Sequence, residues 1–166
     1  MKRIAVLGLT ALVSTAVAVP VASASQASSA ASNNIVQVAA SDPQFSTLVS
    51  LIKKAKLVKA LSGKNKRTVF APTNAAFAKL PKATLEKVQR DKKLLTSVLT
   101  YHVVKGAVPA SEVVKLNGES VKTLNGKTVK IRTSDGKVYV NKARVTKPDV
   151  KASNGVIHVV NRVLIP

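Results

Sequence analysis

The chain contains no cysteine. Disulfide stapling, thiol catalysis and thiolate metal sites are excluded together, so the fold must rest on packing alone. Aromatic residues are scarce: three Phe, two Tyr and no Trp. The core must therefore be aliphatic, built from Val, Leu, Ile and Ala. The same scarcity argues against a single-strand nucleic-acid channel, where bases stack on successive rings. Acidic residues number only seven, Asp42, Glu86, Asp91, Glu112, Glu119, Asp135 and Asp149, and none pairs closely in sequence for acid–base work. Two histidines, His102 and His158, are the remaining general-base candidates. No Gly-x-Ser-x-Gly elbow accompanies them, and no phosphate-cradling glycine loop or dinucleotide fingerprint occurs. Catalysis is not expected, nor is a cofactor or a bound metal.

One long apolar run exists, and it stands first. Met1-Lys2-Arg3 supplies a positive start, Ile4 to Val21 is uncharged and rich in Ala, Val and Leu, and Ala22-Ser23-Ala24 offers small residues at a cleavage position. About 18 apolar residues only just cross a bilayer. Pro20, the Ser and Thr residues and the Ala-x-Ala sequence favour a cleaved signal peptide over residues 1–24. No later run is long enough to span a membrane. Residues 25–33 are small, polar and unpatterned, and read as a flexible linker. The rest is one domain, residues 34–166, large enough for a real core. The expected location is secreted, extracellular or at the cell surface, the periplasm being an alternative.

Charge is the dominant positive feature. The chain holds 27 Lys and Arg against 7 Asp and Glu. Losing Lys2 and Arg3 with the leader leaves 25 against 7, a formal charge of +18. Such a field concentrates anionic partners and speeds encounter with them. The densest basic segment is Lys53, Lys54, Lys56, Lys59, Lys64, Lys66 and Arg67. A second group, Lys122, Lys127, Lys130, Arg132, Lys137, Lys142 and Arg144, lies where strands are expected, and alternation would gather many of them on one solvated sheet face.

Along the domain, Ser41 or Asp42 caps a helix that starts at Pro43. Phe45, Leu48, Val49, Ile52 and Ala55 fall on one face of it, and the apolar pattern continues through Leu61 until Ser62-Gly63. Residues 67–71 read as a buried strand, and a short helix capped by Thr73 or Asn74 runs to Leu80. Helices follow over 83–90 and 92–100, and a strand over Tyr101-His102-Val103-Val104. If 101–104 is a strand, Tyr101 and His102 face opposite ways, one toward the core and one toward a surface. Residues 109–114 form one or two helical turns. Two hairpins turn at Asn125-Gly126 and Ser134-Asp135-Gly136. A short strand over 142–146 and a final apolar run over 156–160 complete the chain. Helices in the first half and strands in the second indicate an α+β fold.

At three points the chain closely resembles the fasciclin domain family. Thr68-Val69-Phe70-Ala71-Pro72-Thr73-Asn74-Ala75-Ala76-Phe77 resembles its first signature, and Leu99-Thr100-Tyr101-His102-Val103-Val104 its Tyr-His segment. Asn154-Gly155-Val156-Ile157-His158-Val159-Val160-Asn161, with Val163-Leu164, resembles its second signature. The order and spacing match across residues 34–166. The resemblance implies an antiparallel β-wedge with helices on one side and edge, and an extracellular adhesion or matrix module of the single-domain bacterial type. In animal members an Asp-Ile pair just before the second signature is associated with integrin binding. Pro148 and Asp149 fit that pattern here, whereas the flanking Lys147 and Lys151 and the residue Val150 depart from it.

The expected function is non-catalytic adhesion or surface and matrix association, through an extracellular or surface protein or an acidic polysaccharide. Tyr101, His102, Pro148, Asp149 and the Lys53–Arg67 patch are the candidate contacts. One alternative is a general polyanion binder, with salt-sensitive backbone contacts to nucleic acid but no sequence-specific readout. The other is a small-molecule or metal carrier using His102 or His158.

Overall fold

The computed structural model describes residues 33–166; the expected signal peptide over residues 1–24 and nearly all of the expected linker over 25–33 lie outside them. Asn33 is already tied to the domain, its carbonyl accepting the Ser153 N–H at 2.9 Å. Helix α1 (Ile35–Ser41) starts at a complete capping box. The Asn34 side chain accepts from the Gln37 N–H, and the Gln37 side chain accepts from the Asn34 N–H. Asp42 caps a 3-10 turn over Pro43–Phe45, with Pro43 at its first position. Helix α2 (Ser46–Lys54) buries Leu48, Val49, Leu51 and Ile52.

The single helix expected from Pro43 to Leu61 is broken. Lys56 adopts φ 58°, the Lys56 N–H bonds the Lys53 carbonyl, and the Leu57 N–H reaches back to Ile52. This is a Schellman ending with lysine in the left-handed position usually held by glycine. The chain restarts as α3 (Val58–Ser62), so the apolar pattern persists through a break that it does not reveal.

Strand β1 (Arg67–Pro72) follows, then α4 (Asn74–Ala78), capped by Thr73, α5 (Lys82–Arg90) and α6 (Lys92–Tyr101), capped by Asp91. Next come β2 (Val103–Lys105), α7 (Ala110–Lys115), β3 (Ser120–Lys122), β4 (Thr128–Ser134), β5 (Lys137–Val140), β6 (Ala143–Ala152) and β7 (Gly155–Val160). Among the described residues, no helix is long and apolar enough to cross a membrane.

The seven strands form one sheet in the order β2-β1-β7-β6-β5-β4-β3. It curls so far that its two edges meet. Val104 bridges Thr123, and the Leu124 N–H bonds the Val103 carbonyl at 2.8 Å. Wedge and helices stand as expected, but β1 and β7 pair in parallel, so the sheet is mixed. The parallel pair is covered on both sides, which explains its unbroken apolar sequence. Val69, Ala71, Ile157 and Val159 join the core beneath the helices. Phe70 and Val160 join a second core inside the wedge, with Val129, Ile131 and Val140.

Asn154 and Gly155 lock this arrangement. The buried Asn154 amide accepts from Ile35 N–H at 2.9 Å and donates to the Leu61 and Gly63 carbonyls at 2.7 and 2.9 Å. One side chain therefore ties the start of α1 to the end of α3. A Cβ on Gly155 would lie 1.8 Å from the Arg67 carbonyl oxygen, so β1 and β7 approach there only because the side chain is missing.

Candidate functional site

The two histidines are buried, and each is bonded through both ring nitrogens. His102 ends α6 rather than lying in a strand. Its Nδ1 donates to the Val98 carbonyl at 2.7 Å, and its Nε2 accepts the Leu164 N–H at 2.9 Å. Those partners require the neutral Nδ1–H tautomer. Burial depresses its pKa from 6.5 to about 4, against a smaller opposing effect of the Val98 bond. His158 stacks on Phe70 at 5.7 Å between centroids. Its Nε2 bonds the Val108 carbonyl at 2.8 Å, and its Nδ1 accepts the Asp149 N–H at 3.3 Å. Burial lowers its pKa too, opposed by the Val108 bond and the Asp149 charge. Neither imidazole has a lone pair free for a metal or a serine. Among the described residues, no three His, Asp or Glu side chains gather at metal-binding distance.

Tyr101 and His102 do not divide between core and surface: both are buried. The Tyr101 hydroxyl donates to the Thr128 carbonyl and accepts from Asn141 Nδ2, both at 2.9 Å. The sequence carried a signal for this. Leu95, Val98, Leu99 and His102 follow helical spacing, which extends α6 to the histidine.

Pro148 and Asp149 do not separate two strands. Strand β6 runs through them, with register shifts between Val145 and Lys147 and between Lys147 and Val150. Pro148 is tolerated inside a sheet because it falls in this irregularity. Asp149 holds φ 56°, and its carboxylate accepts the Ala110 N–H at 2.7 Å, at the start of α7. The residue thereby connects the β6 bulge, His158 and α7.

The Lys53–Arg67 segment wraps around the end of α2, α3 and the following loop. Its six lysines are exposed, whereas Arg67 is half-buried and donates to the Ala60 carbonyl. The second basic group is more ordered. On β4, Val129 and Ile131 point inward while Lys130 and Arg132 are exposed. Arg132 pairs with Tyr139 on β5, and Tyr139 pairs with Arg144 on β6. Cross-strand partners share a face, so Tyr139 stands between two arginines on the outside of the wedge. Lys137 and Lys122 fall on the same face by alternation, and among the described residues strands β3, β4 and β5 carry no carboxylate. Tyr139 escaped sequence reasoning because only strand register puts it between the arginines.

The fasciclin domain profile matches residues 43–166. The chain is 49% identical over 144 residues to Protein sll1483 of Synechocystis sp., covering 86% of this chain and 78% of that protein. It is 36% identical over 141 residues to the cell surface glycolipoprotein MPT83 of Mycobacterium tuberculosis, covering 82% of this chain and 62% of that protein. A solved FAS1 domain pair from the insect cell adhesion molecule Fasciclin I shares the fold at TM-score 0.66 and 19% identity, covering 81% of this chain and 51% of that one. The chain belongs to the fasciclin domain family.

Proposed function

We propose that this protein is an exported, non-catalytic surface- or matrix-association module that holds acidic polymers against the outer face of strands β3 to β6. The observation that carries this reading is the Arg132–Tyr139–Arg144 row. Neighbouring strands lie about 4.8 Å apart, which spaces the two guanidinium-bearing positions about 10 Å apart across the sheet. A rigid sheet presents these cations at fixed spacing, and arginine pairs carboxylate or sulfate bidentately. Tyr139 between them offers a flat surface for a sugar ring. The apolar run before Ala22-Ser23-Ala24 supports export, and relatives described as cell-surface proteins accord with it.

The test is retention on immobilised alginate across a salt gradient. Arg132→Gln with Arg144→Gln should elute at clearly lower salt than the parent. Lys53→Gln with Lys54→Gln removes the same charge elsewhere and should elute close to the parent. Equal losses from both pairs would reduce the interaction to net charge alone.

A further inference from the structure

Bordering the polymer-binding face, and sharing Lys130 and Arg132 with it, a groove of about 1040 Å³ runs between the end of α4, the β4–β6 hairpins and the C-terminal segment. Among the described residues, Lys79, Lys130, Arg132, Lys142 and Arg162 line it, and no carboxylate does. Among the described residues, the side chains of Lys130, Arg132, Lys142 and Arg162 make no hydrogen bond or ion pair; Lys79 reaches the Asn161 carbonyl at 3.4 Å. These cations surround an apolar surface that includes Leu80, Val163 and Ile165. Ile165 is 49% exposed, and among the described residues only one other large apolar side chain, Val114, is comparably open. Leaving an isoleucine in water forgoes burial that would stabilise it. Surrounding that apolar strip with five cations, none of them in an ion pair among the described residues, makes the groove amphipathic, and its volume suits a small ligand rather than a polymer.

We propose that this groove binds a single-chain lipid carrying a phosphate headgroup. The alkyl chain lies against Leu80, Val163 and Ile165, and the phosphate meets the surrounding cations. A dianionic head neutralises more of the five charges than a carboxylate does. It also accepts several charge-assisted hydrogen bonds at once.

The experiment is calorimetric titration of the protein with monomeric dodecyl phosphate, with inorganic phosphate and dodecyl maltoside as separate arms. Dodecyl phosphate should bind one-to-one and roughly tenfold or more tighter than either control. Ile165→Ser and Arg162→Gln, both at exposed positions that should leave folding intact, should each weaken it severalfold. Neither change touches the Arg132–Tyr139–Arg144 row, so both variants should keep their salt profile on alginate. Equal binding of inorganic phosphate would reduce the groove to an anion site, and equal binding of the maltoside would reduce it to an apolar one. Binding seen only with micelles, or unaffected by both variants, would overturn the proposal.

Discussion

His102 Nε2 accepts the backbone N–H of Leu164 at 2.9 Å, joining the end of α6 to the C-terminal segment from inside the core. The bond exists only while that nitrogen is unprotonated. In the unfolded chain the imidazole takes its proton near pH 6.5; in the fold it resists until about pH 4. The unfolded state therefore binds more protons across this window, and stability falls as pH drops through it. The full difference is on the order of 3 kcal/mol, and His158 shifts in the same direction. Urea denaturation at pH 7 and pH 4.5 should show the loss. His102→Gln should be less stable at pH 7 and show a flatter profile below it.

Asn154→Ala should destabilise the domain by about 3 kcal/mol, because Ile35 N–H and the Leu61 and Gly63 carbonyls lose their shared partner. Gly155→Ala should be at least as damaging, since its Cβ meets the Arg67 backbone and forces β1 away from β7. Thermal unfolding of both variants tests these orders. A change in Tm of a degree or less in either would contradict them.

Lys56→Gly should stabilise the fold by roughly 0.5–1 kcal/mol. It relieves a left-handed lysine at the end of α2, partly offset by a freer unfolded chain. The same variant removes one charge from the Lys53–Arg67 patch. Its retention on alginate should change little, because that patch is not the proposed contact.

Asp149→Ala should cost about 1 kcal/mol, through loss of the Ala110 contact at the start of α7. Alginate retention should stay the same or rise, since a negative charge has gone. A fall in retention on a folded variant would return the contact to Pro148 and Asp149 in the β6 bulge.

The α+β class and most elements were legible because the residues carrying them act locally. Caps such as Asp42 and Thr73, the Asn125-Gly126 turn and the alternation along β4 each announce themselves within a few positions. Four features were not. Helix α1 is only seven residues long, too short for its apolar residues to show a period. Lys56 breaks a helix without glycine, so the apolar period runs across the break undisturbed. His102 continues the helical spacing of Leu95, Val98 and Leu99, but Tyr101-His102-Val103-Val104 also reads as a strand. Tyr139 acquires its arginine neighbours only through pairing of β4, β5 and β6, which no local pattern encodes. The surface cations were legible as a composition but not as a place. Their positions depend on how the sheet curls.

Binding of acidic polymers to the outer sheet face is read out by the salt dependence of alginate affinity. In a plot of log affinity against log salt, Arg132→Gln with Arg144→Gln should reduce the slope by about 2. Lys53→Gln with Lys54→Gln should leave it within error of the parent. Matching slopes for the two pairs would contradict the account.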